Sequence, residues 1–442
     1  MFDLPKYGDG SCLARLADLL RVLDIDRDRL RRSSVVVTGS NGKGSTAAFC
    51  ASIGHAAGLR SGLFTSPHLY RFNERFQIDG APIDDVDLAD LTTRIMAAID
   101  IVSQRVNERF GAFEAQFALA CLYFQEAGCD FAVFEAGIGG RYDPVRLVGA
   151  TDTCMTSVDY EHVNLLGNSL VLIAFDKSDA CAAGGTVIYG ENCRSLRAHL
   201  VEYNRNRNVD GVFVRDEIRI TDERTTTGGQ RFDLDYGKHH FEALEIRLTG
   251  GFQINNAAIA IVLFLRWRES ARERDALQAR TGAIEPAIRA GLLATRWPGR
   301  LELVRDKPVT VVDVGHTPDG IQRSLDGLYK TYGIDGWLLV TGVSSDKKAD
   351  EIVTLLAPSF EVIVCTAAYH KGSDPQQIAA AARRANPNAA IHVAATIEDA
   401  VALSTTLAAS QNRRIFVAGG LFLAIEYATV ARGGRTKDLA FF

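Results

Sequence analysis

The residues best suited to chemistry begin at Gly39. The run Gly39-Ser-Asn-Gly-Lys-Gly-Ser-Thr46 sets Lys43 between two glycines, with two hydroxyls just behind it. Glycines let backbone N–H groups face an anion, and a helix that starts at the loop adds the positive end of its dipole. Lys43 can bridge outer phosphates, and Ser45 or Thr46 can offer a hydroxyl to Mg²⁺. The spacing is not the strict GxxxxGK[ST], because Gly39 lies only three positions before Gly42. Glu135 ends a Val- and Phe-rich run, so its carboxylate should emerge at the C-terminal edge of a sheet, where α/β proteins bind ligands. His162 follows the next strand, and Lys177 has Asp176 and Asp179 beside it. Read singly, Glu135 also fits a salt bridge, His162 a satisfied loop histidine, and Ser66 a helix cap.

A frame must bring these groups to one edge. Val35-Val-Val37 reads as a short buried strand and 47–57 as an apolar helix closed by Gly58. Strand, glycine-rich turn and helix open an α/β nucleotide-binding domain. Further strands are expected at 61–65, 131–135, 153–158 and 186–189, with helices within 86–110 and 113–127. Leu13, Leu16, Leu20 and Leu23 recur at the spacing of a surface helix. The alternating segments of 211–248 look antiparallel, and a helix at 254–267 leads into an arginine-rich stretch to Arg280. That stretch and the His239-His240 pair read as solvated surface. Pro and Gly in Arg296-Trp-Pro-Gly-Arg300 interrupt helix and strand, which marks a linker. Beyond it the α/β pattern restarts, with strands at 309–314, 337–341, 361–365, 390–394 and 414–418. The expected division is a large α/β domain at 1–295, a linker at 296–300 and a smaller α/β domain at 301–442.

Composition excludes several function classes. With 442 residues, 47% apolar and 23% charged, the chain can bury a large core and is not of disordered type. Its net charge of −5 supplies no basic field, so neither nucleic acid nor an anionic membrane is an expected partner. Eight cysteines form no CxxC and no zinc spacing, and read as small core residues in a reducing compartment. The longest apolar run, 257–265, is far short of the ~20 residues of a membrane span. The first residues hold no signal-peptide core. A soluble, cytoplasmic monomer is expected.

With Asn41 included, the loop resembles the GTNGKGS loop of the folylpolyglutamate synthase/dihydrofolate synthase family, a branch of the Mur ligase superfamily. The match recurs in order along nearly the whole chain. Thr65-Ser-Pro-His-Leu69 and Arg71-Phe-Asn-Glu-Arg75 resemble the family's second motif, and Phe113-Glu114 its FE pair. Glu135-Ala-Gly-Ile-Gly-Gly-Arg-Tyr-Asp143 resembles ExGxGGRxD, and Thr156-Ser-Val-Asp-Tyr-Glu-His162 resembles TSIGLDH. Trp297-Pro-Gly-Arg-Leu-Glu302 resembles WPGRLE, and Val312-Asp-Val-Gly-His-Thr-Pro318 the DGAHNP segment. Asp346-Lys347 and Gly419-Gly-Leu421 sit where later motifs belong.

The resemblance implies a Mur-ligase-like α/β fold, with a P-loop-type N-terminal domain and a smaller Rossmann-like C-terminal one. It implies ATP-dependent ligation: a carboxylate takes the γ-phosphoryl group, and the amine of L-glutamate or another amino acid attacks the acyl phosphate. ATP would meet Asn41, Gly42, Lys43, Gly44, Ser45, Thr46 and Asn256, with Arg300, Asp313 and His316 from beyond the linker. Ser45, Ser66, Glu135 and His162 would hold Mg²⁺. Phe113, Asp143, Arg146 and Arg75 would line the site of a pterin- or folate-like acid. Lys43, Glu135, His162 and Lys177 form the implied catalytic set, and the family's counterpart of Lys177 is often carbamylated. Here EKAGI has become Asp176-Lys177-Ser178-Asp179, so an ion pair with either aspartate competes with the carbamate. LDATN has become Tyr142-Asp-Pro-Val-Arg146, and GLDH has become Asp159-Tyr160-Glu161-His162. The ATP side is mostly kept while the acid side has changed. Three readings follow: a folate-type ligase, a paralogue using another acid, or a non-catalytic nucleotide-binding protein.

Overall fold

Strand β1 (Ser34–Thr38) is buried along its whole length, as a Val-rich strand between two parallel neighbours must be. A computed structural model describes residues 1, 3–272, 283–345, 349–439 and 441. Around β1 lie β2 (Ser61–Phe64), β3 (Phe76–Ile78), β4 (Ala81–Pro82), β5 (Phe131–Glu135), β6 (Asp152–Met155), β7 (Thr186–Tyr189) and β8 (Asp210–Phe213). Their order is β4-β3-β2-β5-β1-β6-β7-β8. The six strands from β2 to β8 run parallel, and β3 and β4 close one edge antiparallel. The C-terminal ends of β1, β5 and β6 therefore open on one rim, and Thr38, Glu135 and Met155 end there.

β5 and β7 fall at the expected residues, and the other expected strands of this sheet differ by a few positions. The patch at 211–248 is corrected. Its first part, β8, joins the parallel sheet beside β7, and only β9 (Ile218–Thr226), β10 (Gly229–Tyr236) and β11 (His239–Ile246) form the antiparallel sheet. The Phe252–Arg272 helix places residues 257–265, all buried, between that sheet and the phosphate-loop helix Lys43–Ala56. Arg268 is buried and Arg266 donates to Thr186 Oγ1 at 3.0 Å, so these two do not lie in solvent as expected. Residues 273–280 of that stretch, and the Asp346-Lys347 pair, lie outside the described residues.

After Arg300 come β12 (Glu302–Asp306), β13 (Val309–Val312), β14 (Trp337–Thr341), β15 (Val362–Cys365), β16 (Ala390–Val393) and β17 (Arg414–Val417), in the order β12-β13-β17-β14-β15-β16. The sheet is parallel except for β12, an antiparallel edge strand that the apolar pattern did not announce. Both of its faces are packed with apolar side chains. All eight cysteines are free and buried. Among the described residues no helix is long and apolar enough to cross a membrane.

Candidate active site

The phosphate loop runs from the end of β1 into the Lys43–Ala56 helix. Gly42 takes φ +86°, a conformation that costs a side-chain-bearing residue energy, and a Cβ there would lie 2.6 Å from Asn256 Oδ1. A Cβ on Gly44 would lie 2.6 Å from the Trp297 ring, so this tryptophan sits directly on the helix start. Lys43 Nζ folds back on the loop, donating to the carbonyls of Gly39 at 2.9 Å and Ser40 at 3.3 Å. Among the described residues Thr46 Oγ1 is buried without a hydrogen-bond partner, and Ser45 Oγ accepts a long 3.4 Å bond from Gln253 Nε2. Gln253 in turn accepts from Asn256 Nδ2 at 3.0 Å. Two hydroxyls, an amine held by weak acceptors and a helix N-terminus thus face the same place, which suits a phosphate chain.

Asn41 joins this loop to the second sheet. Its Nδ2 donates to Asp319 Oδ2 at 3.1 Å, at the start of the Pro318–Tyr332 helix, and its N–H donates to Ser157 Oγ at 2.8 Å. Asp313 is buried and spent on structure, accepting from Leu301 N, Gly315 N and Ser324 Oγ at 2.6–3.0 Å. It shapes the turn that carries His316, which is exposed. Arg300 stands close enough for its charge to act on Glu135.

Glu135, at the tip of β5, is buried and accepts the Ser66 N–H at 3.1 Å. Burial pushes its carboxyl up to about 7, against the opposing charges of Lys43, Arg300 and Arg75. Arg75 is held by His68 Nδ1 at 2.9 Å and Gln116 Oε1 at 2.8 Å, and its burial lowers it to about 10. The charges of Lys43, Arg300 and Arg75 thus favour the ionised carboxylate, and burial outweighs them. His162 sits with φ +46° at the start of the short Val163–Leu166 helix and is exposed. Among the described residues no three His, Cys, Asp or Glu side chains cluster as a metal cage. Mg²⁺ needs none, since it is commonly held by one or two carboxylates, retained waters and substrate phosphates. Glu135 with hydroxyl oxygens at a phosphate loop fits that chemistry.

Lys177, on the Leu170–Ser178 helix, is buried and donates to Glu161 Oε1 at 2.5 Å and to Gly39 O at 3.1 Å. Neither neighbouring aspartate takes this role. Asp176 accepts the N–H groups of Gly140 and Arg141, and Asp179 is engaged by Arg141, Tyr203 and Arg207. Burial works against the charge on Glu161, but Lys43 and Lys177 outweigh it and hold the carboxyl at about 2. Burial lowers Lys177 while Glu161 supports its charge. Glu161 is a residue the sequence reading passed over, although it stood in the altered GLDH motif.

On the acid side, Phe113 packs against Phe64 at 5.6 Å between ring centroids and lies over Gly137. Its neighbour Glu114 is structural, gripped by Arg15 at 2.7 and 2.8 Å. Asp143 accepts the N–H groups of Gly137, Ile138 and Val145 at 2.9–3.0 Å, so it fixes the 137–145 turn. Arg146 is exposed, donates to Arg141 O at 2.8 Å, and borders a surface hollow with Ala180–Ala183 and Arg207. Tyr142 and Tyr160, both at departures from the motif, are exposed.

The chain is similar to known proteins in sequence and in fold. Residues 299–421 match the family model described as Mur ligase, glutamate ligase domain. The chain is 31% identical to a folylpolyglutamate synthase of Lacticaseibacillus casei, covering 81% of each protein. It is 29% identical to a dihydrofolate synthase/folylpolyglutamate synthase of Bacillus subtilis, over 79% of this chain and 80% of the other. A probable bifunctional folylpolyglutamate synthase/dihydropteroate synthase of Halobacterium salinarum matches 97% of the chain at 31% identity, and the match spans half of that protein. In three dimensions the chain is similar to Mycobacterium tuberculosis folylpolyglutamate synthase complexed with ADP, with TM-score 0.85, 25% identity and 96% of each chain covered.

Proposed function

The chain belongs to the folylpolyglutamate synthase family, and on that premise we propose that it joins L-glutamate to dihydropteroate or a folate, spending ATP through an acyl phosphate. The observation that carries the reading is the loop where Lys43 and the Ser45 and Thr46 hydroxyls meet a helix start, on the same sheet rim where Glu135 ends β5. A carboxylate is a poor acyl donor until it carries a good leaving group. Making that group needs positive charge along the phosphates more than a protein nucleophile. ATP binding would draw Lys43 from the carbonyls of Gly39 and Ser40 onto the outer phosphates, while the amides at the helix start face the phosphate oxygens. The acid's carboxylate oxygen then attacks the γ-phosphorus and ADP leaves. The glutamate nitrogen attacks the acyl carbon, phosphate departs with the C–O electron pair, and the amine loses its proton to solvent or a nearby base.

Ser45, Ser66, Glu135 and His162 would hold Mg²⁺, which when bound supplies charge neutralisation on the phosphate oxygens. Asn256 would lie near the adenine, Arg300 would meet the nucleotide from the end of the 296–300 linker, and Asp313 and His316 would meet it from the second domain, 301–442. Lys177 is read as an ammonium strut paired with Glu161 in place of a carbamate. The acid would contact Phe113 and Arg75, with Asp143 holding the turn and Arg146 at its outer end. A different acid is the second reading, favoured by the exposed Tyr142 and Tyr160 at altered motif positions. We take the protein to act as a cytoplasmic monomer, a reading consistent with its eight free thiols. Replacing Lys43 by Ala should abolish acid-dependent phosphate release. Undiminished turnover in that variant refutes the proposed ATP site.

A further inference from the structure

Phe441 has no part in the ligase chemistry, yet it is 3% exposed and enclosed by rings from both halves of the chain. His370 and Phe422 meet it nearly edge-on, each at 4.9 Å between ring centroids. From the other half His68 faces it at 6.4 Å, within 9° of parallel. Edge-to-face and offset-parallel contacts in this range are attractive and directional. The His370 wall is fixed. Buried Glu426 accepts the backbone N–H groups of Tyr369 and His370 at 2.6 and 2.9 Å, and bonds the His370 ring at 2.8 Å.

The His68 wall leads to the active site. His68 Nδ1 accepts from Arg75 Nε at 2.9 Å, and Arg75 reaches Gln116 Oε1 at 2.8 Å with its other arm. Arg75 O also accepts the Thr65 N–H at 3.1 Å, one residue before Ser66, so Arg75 anchors the start of the 65–70 loop. Residues next to His68 dock on the second half as well. Tyr70 Oη accepts from Arg432 Nη1 at 3.0 Å, and Leu69 packs against the apolar cluster that holds Phe441. At the loop's other end Ser66 N donates to Glu135 at 3.1 Å. The 65–70 loop is therefore gripped by the C-terminal half on one side and by the Glu135 rim on the other.

We propose that Phe441 is a positioning residue, wedged against His370 and Phe422 so that His68 and Arg75 hold the 65–70 loop, and with it the Ser66 N–H, against Glu135 at the acyl-transfer site. The proposal rests on the ligase reading above. It adds that correct seating of Phe441 is needed for the chemical step but not for nucleotide binding, since its described ring partners, His68, His370 and Phe422, all lie outside the Lys43 loop.

The test is a double-mutant cycle on the full chain with Phe441→Ala and His68→Ala, measuring kcat for acid-dependent phosphate release and the affinity for ADP. The expected result is a kcat loss on the order of tenfold in Phe441→Ala, because small misplacements of a positioned group are costly. ADP affinity should stay within about twofold of the parent, and Phe441→Ala should add almost nothing once His68 is already Ala. Three results overturn the proposal: an unchanged kcat, additive losses in the double variant, or an ADP affinity that falls as far as kcat. If Phe441→Ala does not fold, Phe441→Leu, which keeps apolar bulk but removes the ring contacts with His68, His370 and Phe422, takes its place in the cycle under the same criteria. A parent protein silent with every acid would instead refute the ligase reading itself.

Discussion

Replacing Lys177 by Met should destabilise the protein and weaken its hold on nucleotide. The side chain is 1% exposed and its partner Glu161 13%, with Nζ 2.5 Å from Oε1. Removing one member of a buried pair leaves the other charge uncompensated, at a cost of about 3–5 kcal/mol. The Glu161 carboxyl points the same way: against its burial, Lys43 and then Lys177 hold it at about 2 rather than the ordinary 4.5. Because Lys43 shares in holding Glu161 charged, the expected coupling in a Lys177→Met, Glu161→Gln cycle is about 2 kcal/mol. The sign in pH follows from a lowered carboxyl. The stabilisation is present above pH 4.5 and is lost as pH falls toward 2. Urea unfolding of the four proteins at pH 7 measures the coupling. Because Lys177 also holds Gly39 O at 3.1 Å, ADP affinity should fall alongside stability in Lys177→Met. Additive losses would refute the pair, and so would a carbamate carbon seen by NMR in ¹³C-bicarbonate and absent from Lys177→Met.

Other expectations concern the phosphate loop and its rim. Lys43→Ala should lower kcat by about a thousandfold or more, since it removes the cation aligned with the transferring phosphoryl group; phosphate release reports it. Gly44→Ala puts a methyl 2.6 Å from the Trp297 ring, so the linker must shift, and a loss of about 1–3 kcal/mol is expected in thermal or urea unfolding. Glu135 is raised to about 7, so the free enzyme's kcat/KM for ATP should rise as pH climbs through that value. A raised carboxyl favours the folded state below pH 4.5, and that contribution fades as pH rises through 7; Glu135→Gln should remove this slope from the apo-protein's stability profile.

Strands with β-branched or aromatic runs between turn residues were legible in the sequence. β5 (Phe-Ala-Val-Phe-Glu), β7 and β14 match to the residue, because a strand buried on both faces must be apolar throughout. β12 was not legible: Glu-Leu-Val-Arg-Asp is a partly exposed edge whose charges hide its period. β8 was legible as a strand but not as a neighbour of β7, since a short run does not disclose which sheet will bury it. The site shows the same division. Lys43, Glu135 and the glycines carry local signatures, and the structure places them on one rim. The Lys177–Glu161 pair spans a loop and a helix, and Phe441 meets His68 across the whole length of the chain. Such contacts are fixed by tertiary packing, which no local spacing encodes.

The central claim is tested most directly by phosphate release from Mg²⁺ and ATP with L-glutamate, with and without dihydropteroate or tetrahydrofolate, with products weighed by mass spectrometry. The account expects release that depends on the acid, and a product heavier by one glutamyl unit. Release that ignores both acids, or pterin-dependent release without a glutamylated product, would contradict it.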